Sequence, residues 1–326
     1  MASTNHQMLI HALNGGSEEH VGPYGVIDTH IHLTSPSLKN NWLASHEKAS
    51  FKDGDFGYEA FVAAIASART ATLPAPMPVT GAIYVQCFNE PPLEEAKWAL
   101  GLAEDPATVV QGVVAQIPVP DGANAVNAFL KKLSTTKKGT TLPRGLKGGR
   151  VVLLGDPAPA PNACLAKAYL DGLAALGRHD LVWEWCCTPE AIPSITTCVG
   201  KFPHVTFVLD HLGHNGGGDD FETWSVNLTS LAALPNVVAK LGAIEEWEVE
   251  DPAPYLDHAL AVFGWNRVMY EGNWFVSRAH DGNDYDDTAH HVMAACERAN
   301  ATAAQVRSVF STNARRVYKL DEDDDE

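Results

Sequence analysis

Eight short apolar runs, each followed by a stretch with helical patterning, limit what this chain can fold into more than any other feature. The runs cover 26–32, 79–86, 108–116, 146–154, 181–186, 205–211, 237–241 and 267–272. Helical patterns fall between them, over 58–72, 92–104, 123–133, 164–176, 189–201, part of 220–234, 254–263, 288–298 and 303–310. Such alternation predicts βα units in a parallel sheet buried on both faces. Eight such units closing on themselves form a (β/α)8 TIM barrel, the expected α/β fold. An open doubly wound sheet is the alternative. No Gly-x-Gly-x-x-Gly follows the first run, which weakens a dinucleotide-binding version of it. The 326 residues suit one barrel. The expected layout is a polar N-terminal extension over 1–25, a single domain over 26–320 and an acidic tail over 321–326.

Charge narrows the partners. The net charge is −17, and removing the tail's six acidic residues leaves −11. Nucleic acid and anionic membranes need clustered Lys and Arg, so neither is expected as a partner. The N-terminal residues lack a signal-like apolar run, and no 18-residue apolar stretch occurs. A cytoplasmic protein acting on a small molecule is the expectation, with a homo-oligomer left open. The six cysteines form no Cys-x-x-Cys pair and are expected as reduced, buried thiols.

In a barrel, polar groups at C-terminal strand ends converge on one mouth. His30 and His32 are two apart in Val26-Ile27-Asp28-Thr29-His30-Ile31-His32, so a strand points both to one face. Two converging imidazoles share a metal or divide acid–base work. The later strand ends add Gln86, Arg150, Glu184, His211, Lys240, Glu271 and Asn273. Each has a plain structural role open to it: a backbone partner for Gln86, an ion pair for Arg150, the barrel wall for Lys240. Apolar strands that end repeatedly in such groups are costly unless the groups meet partners or a substrate. His214 lies in a Gly-rich loop and is either a substrate contact or part of the loop. A Ser triad is unsupported, since no Gly-x-Ser-x-Gly occurs. Trp42, Phe51 and Phe56 with Trp183, Trp185, Trp274 and Phe275 point to a flat or aromatic ligand or to rim packing. Arg150 and Lys240 suit an anionic one.

The first-strand motif, Val208-Leu209-Asp210-His211-Leu212-Gly213, Ala239-Lys240-Leu241 and Asn313-Ala314-Arg315-Arg316-Val317-Tyr318 together resemble the amidohydrolase superfamily. Within it they are similar to the amidohydrolase-related lactonase branch, which includes 2-pyrone-4,6-dicarboxylate and sugar-acid lactonases. The resemblance runs in order from Val26 to Leu320. It implies a barrel with His30, His32 and His211 at the mouth, as catalytic groups or metal ligands. It also implies an eighth-strand aspartate in Gly-Ser-Asp-Trp. Here that segment is Glu271-Gly272-Asn273-Trp274, so Asn273 stands where the aspartate is expected.

An aspartate takes a proton from water or binds a metal as an anion, whereas a neutral amide only orients a neighbour. Glu271, on the same strand, and Glu184 are the other candidate bases. Three readings follow. The first is hydrolysis of a small cyclic ester or related carboxylated substrate. There His30, His32, His211, Asn273, Glu184 and Glu271 would be catalytic, and Arg150, Gln86, Lys240, Trp274 and His214 would bind substrate. The second is a lyase, isomerase or cyclase using His and Glu without metal. The third is a non-catalytic binder on an enzyme frame. The cofactor expectation is none, or one divalent zinc or manganese held by His30, His32 and His211.

Overall fold

The structure, a computed structural model, describes residues 25–67, 79–136, 141–154, 159–214, 221–244, 249, 251–281, 285 and 287–320. The expected acidic tail, and all but the last residue of the expected N-terminal extension, lie outside the described residues. Eight parallel strands follow one another in chain order round one sheet. They are β1 (Val26–Ile31), β2 (Val79–Val85), β3 (Val110–Ala115), β4 (Leu146–Leu153), β5 (Val182–Cys187), β6 (Phe207–Leu209), β7 (Val237–Leu241) and β8 (Val268–Tyr270). A parallel bridge between Ile31 and Trp274, just past β8, brings the last strand back to the first. Helices such as Pro92–Glu104, Ala123–Leu133 and Ala253–Phe263 cover the outside. The expected TIM barrel is the observed fold.

Alternation sorts each strand's residues between two layers. Val182, Val208, Val238 and Met269 fill the barrel interior with Ile27, Ile83, Val85 and Val114. The closing helix Asn313–Tyr318 plugs the bottom through Ala314, Val317 and Tyr318. Asn313 pins it by donating to the carbonyls of Trp265 at 2.7 Å and Val268 at 2.8 Å. The neighbours of the interior residues face the helices. Trp185 stacks on Tyr169 at 5.7 Å and on Phe207 at 5.9 Å. Trp183 and Trp185 are therefore packing residues of the outer layer and are not ligand contacts.

Four stretches depart from expectation. The sixth and eighth strands are shorter than predicted because the chain turns out of the sheet: φ is 53° at His211, 51° at Leu212 and 46° at Asn273. The stretch 34–57, expected as irregular, holds the short helices Asn41–Ser45 and Ala49–Lys52 and a ribbon of Lys39–Asn40 against Asn89–Glu90. The side chain of Asn40 caps the first of these helices at Leu43 N (3.0 Å). Phe51 and Phe56 draw the stretch onto the rim, Phe56 stacking on Phe275 at 3.9 Å. The predicted helix over 303–310 is only the start of a longer one, which continues through the π turn Ser308–Thr312 into Asn313–Tyr318. All six cysteines are free and buried. Among the described residues, no helix is long and apolar enough to cross a membrane.

Candidate active site at the barrel mouth

The site is built in two storeys. The lower one is a lattice of charge with almost no solvent contact. Lys240 of β7 reaches Glu184 of β5 at 2.6 Å and Asp210 at 3.0 Å. The Tyr318 hydroxyl rises from the closing helix and donates to the second oxygen of Glu184 at 2.5 Å. Arg150 of β4 meets Asp210 at 3.2 Å and donates to the Gln86 carbonyl at 2.9 Å. Burial opposes charge on Lys240, yet Asp210 and Glu184 raise its pKa above the ordinary lysine value. Burial alone would raise Asp210 too, but Lys240 and Arg150 pull it down to about 2. Both members of that pair are therefore ionised near neutral pH.

The histidines stand on this floor. His32 Nδ1 is 2.8 Å from the Val85 carbonyl, an acceptor only, so that nitrogen carries the proton. Its Nε2 is left with a lone pair facing His30 Nε2 at 3.2 Å. His30 Nε2 also lies 3.1 Å from Arg150 Nη1, a donor only, while its Nδ1 lies 3.2 Å from the Lys240 ammonium. His30 is thus held at both ring nitrogens, by Arg150 and His32 on one side and by Lys240 on the other. Burial, then the nearby cations, hold both imidazoles well below the ordinary histidine value, Lys240 acting foremost on His30 and Arg150 on His32. Both are neutral.

His211 is held differently. Glu271 Oε1 lies 3.0 Å from His211 Nδ1 and accepts the His211 backbone N–H at 2.9 Å. Its other oxygen is 3.2 Å from His30 Nδ1. The carboxylate beside Nδ1 favours a proton on that nitrogen, at ion-pair distance and outside hydrogen-bond alignment. Gly242 makes this possible, because a Cβ there would fall 2.3 Å from Glu271 Cγ. Asp28 ties the β1 and β8 ends together, accepting from His30 N (3.0 Å), Gly272 N (2.8 Å) and the Tyr285 hydroxyl (2.6 Å).

Above the floor lies a cavity of about 300 Å³, lined by His32, Gln86, Arg150, His211 and Asn273 on its polar side. Asn273 donates to Ser277 Oγ at 3.3 Å. Two buried donors, Gln86 Nε2 and Arg150 Nε, have no hydrogen-bond acceptor among the described residues. Such groups are costly unless a ligand or water completes them.

A divalent ion would draw on the same groups. His30, Asp210 and His211 each bring one ligand atom within 4.8 Å of the others, a plausible donor set. His32 is not in it, since Val85 and His30 take its two nitrogens. The Lys240 ammonium already stands at 3.0 Å from Asp210 Oδ1 and 3.2 Å from His30 Nδ1. An ion here would have to displace or neutralise that ammonium.

The structure thus gathers most of the predicted residues but ranks them. His32, His211, Gln86, Arg150 and Asn273 line the cavity, while His30, Glu184, Lys240 and Glu271 support them from below. Arg150 does not present an open fork, because both its terminal nitrogens are engaged. Trp274 turns away: its ring packs on Phe61 at 6.0 Å, beneath the Arg278 guanidinium. The side chain of His214 lies outside the described part of the structure. Sequence reasoning passed over Asp210 and Tyr318 as site residues. Both lay within the quoted motifs, and an acid directly before a strand-end histidine was the available signal for Asp210.

Comparison with known proteins agrees with this architecture. The family model described as Amidohydrolase matches residues 27–320. An L-fucono-1,5-lactonase of Burkholderia ambifaria is 30% identical over 157 residues, covering 45% of this chain and 53% of that protein. The chain thus spans about half the length of the curated lactonases that it matches. An amidohydrolase from Burkholderia multivorans with bound zinc superposes with a TM-score of 0.72 at 23% identity, over 91% of this chain and 99% of that one. A Pseudomonas putida protein assigned as a 2-pyrone-4,6-dicarboxylic acid hydrolase gives 0.65 at 14%, over 92% and 99%. At these identities the structural likeness speaks to the fold alone.

Proposed function

Because the chain belongs to the amidohydrolase family, we propose that it is a hydrolase that opens a small lactone by attack of water at the barrel mouth. The observation that carries this is His211, whose Nδ1 lies 3.0 Å from a Glu271 oxygen and whose side chain lines the cavity that holds Gln86 and Arg150. His211 takes a proton from water as the oxygen attacks the carbonyl. The Gln86 Nε2–H and Arg150 Nε–H donate to the carbonyl oxygen as it gains charge. The tetrahedral centre then collapses, the ring C–O bond breaks, and His211 returns its proton to the leaving alkoxide. Asn273 orients the water through its amide. Lys240 with Glu184, and Arg150 with Asp210, keep His30 and His32 neutral and fixed. No step passes through a metal in this reading, because Lys240 occupies the place among the donors. The lactonase relatives support the choice of substrate type.

The test is hydrolysis of a lactone panel followed by acid release, with metal content measured on the same enzyme. His211→Asn should lower kcat by roughly 10²–10⁴-fold. Asn273→Asp should raise turnover by restoring an anionic base. Chelator treatment should leave the rate unchanged; loss on chelation with recovery on added zinc would put a metal back into the step. Failure to hydrolyse any lactone that demonstrably binds would remove the hydrolase reading.

Asn273 itself favours a second reading, in which a lyase or isomerase uses His211 and Glu271 for proton transfer without an attacking water. Products formed without oxygen from labelled water would support it.

A further inference from the structure

Resting on the hydrolase reading, we infer that the substrate is a neutral lactone with a hydrocarbon body, neither a polyhydroxylated sugar lactone nor a dicarboxylate. The cavity is two-sided. Beside its polar residues, the described wall is made of Trp42, Cys87, Phe88, Val152, Leu154, Cys186 and Val276. Strand alternation puts Arg150 and Val152 on one face, the second above the first. Arg150 and Glu184 are register partners, and one step higher the partners are Val152 and Cys186. Above this charged pair an apolar belt lines the cavity.

The donors count out a single acceptor. Gln86 Nε2 and Arg150 Nε are buried and lack partners among the described residues, and one carbonyl oxygen has two lone pairs to accept both. Among the described residues, the belt adds no buried nitrogen or oxygen donor without a partner. A sugar lactone such as L-fucono-1,5-lactone carries hydroxyls around its ring. Each one pressed against that wall gives up water without a partner, a loss of about tenfold in affinity. A dicarboxylate fares worse. Arg150 Nη1 is engaged by Asp210 and Nη2 by the Gln86 carbonyl, and among the described residues no second Lys or Arg lines the cavity. Its volume of about 300 Å³ is at the low end for ligand pockets and suits one or two rings.

The probes are dihydrocoumarin, L-fucono-1,5-lactone and 2-pyrone-4,6-dicarboxylate as substrates. Calorimetric binding of 3,4-dihydroquinolin-2-one, the lactam analogue of dihydrocoumarin, accompanies them. The lactam keeps the carbonyl and ring but resists hydrolysis, so it reads the pocket without the chemistry. The expected result is lactam binding together with a kcat/KM for dihydrocoumarin at least about tenfold above either polar substrate. Leu154→Gln, at the outer edge of the belt, should narrow that ratio. Lactam binding without any hydrolysis would keep the substrate class and remove the hydrolase reading. Hydrolysis of the sugar lactone or the dicarboxylate at an equal or higher rate would overturn the class and leave the hydrolase reading standing. Absence of both lactam binding and lactone hydrolysis would overturn both.

Discussion

Lys240 and Lys167 each sit 2.6 Å from a carboxylate oxygen, Lys240 against Glu184 and Lys167 against Asp171. The bond length is the same and the setting is opposite. The first pair is wholly buried in the barrel; the Lys167 side chain is 88% exposed on an outer helix. On the surface, water already solvates both charges, and the pair only pins two long side chains together. In the barrel, neither charge has water, so each needs every neighbour that it has. Lys240 touches Glu184, Asp210 and His30, and the second oxygen of Glu184 is met by Tyr318. The same ion-pair chemistry is ornament in one place and the scaffold of the histidines in the other.

The contrast can be broken most directly at Lys240. Lys240→Met should destabilise the fold by about 3–5 kcal/mol, because it leaves buried carboxylates without their cation. Urea unfolding measures this, and pairing it with Glu184→Leu should recover part of the loss. A cost no larger than that of a surface lysine would show that burial does not separate the two pairs.

The next effect is in acid. Lys240 and Arg150 hold Asp210 near 2, against an ordinary 3.8. The folded protein thus binds this proton more weakly than the unfolded chain does. The stabilisation is complete above about pH 4 and is lost as the pH falls through about 2, on the order of 2 kcal/mol in all. Asp210→Asn should remove that part of the acid slope; an unchanged slope would assign acid sensitivity elsewhere. Tyr318→Phe should cost about 1–2 kcal/mol by leaving one Glu184 oxygen without a donor, visible as a lowered unfolding midpoint with an unchanged m-value. Lys167→Ala marks the lower end, at about 0.5 kcal/mol or less, and a measurably larger loss would mean that the surface pair is more than ornament.

Much of this site was legible in the residues. His30 and His32 announce themselves by their spacing, since a period of two is fixed by strand geometry. Glu184, Lys240 and Glu271 stand out because a charge inside an apolar run has few tolerable positions. The aromatic signal was weaker. Trp183 and Trp185 look the same in the sequence as ligand-stacking residues, but alternation sends them outward when Glu184 points in. Asp210 was passed over for a related reason: neighbours on a strand face opposite ways, so choosing His211 argues against Asp210. The left-handed backbone at His211 (φ 53°) ends the alternation and lets both join the site.

The sequence by itself determined the eight-fold alternation, the interior face of most strands and the substitution of Asn273 for an acid, because these are matters of local period and residue identity. Only the tertiary structure decided that Tyr318 caps Glu184 across 134 positions of chain, that Lys240 takes the place between His30 and Asp210, and that Glu271 serves His211. Those pairings depend on closing the ring of strands. Closure removes water from the middle, and without water each buried charge takes whichever partner the barrel brings within reach.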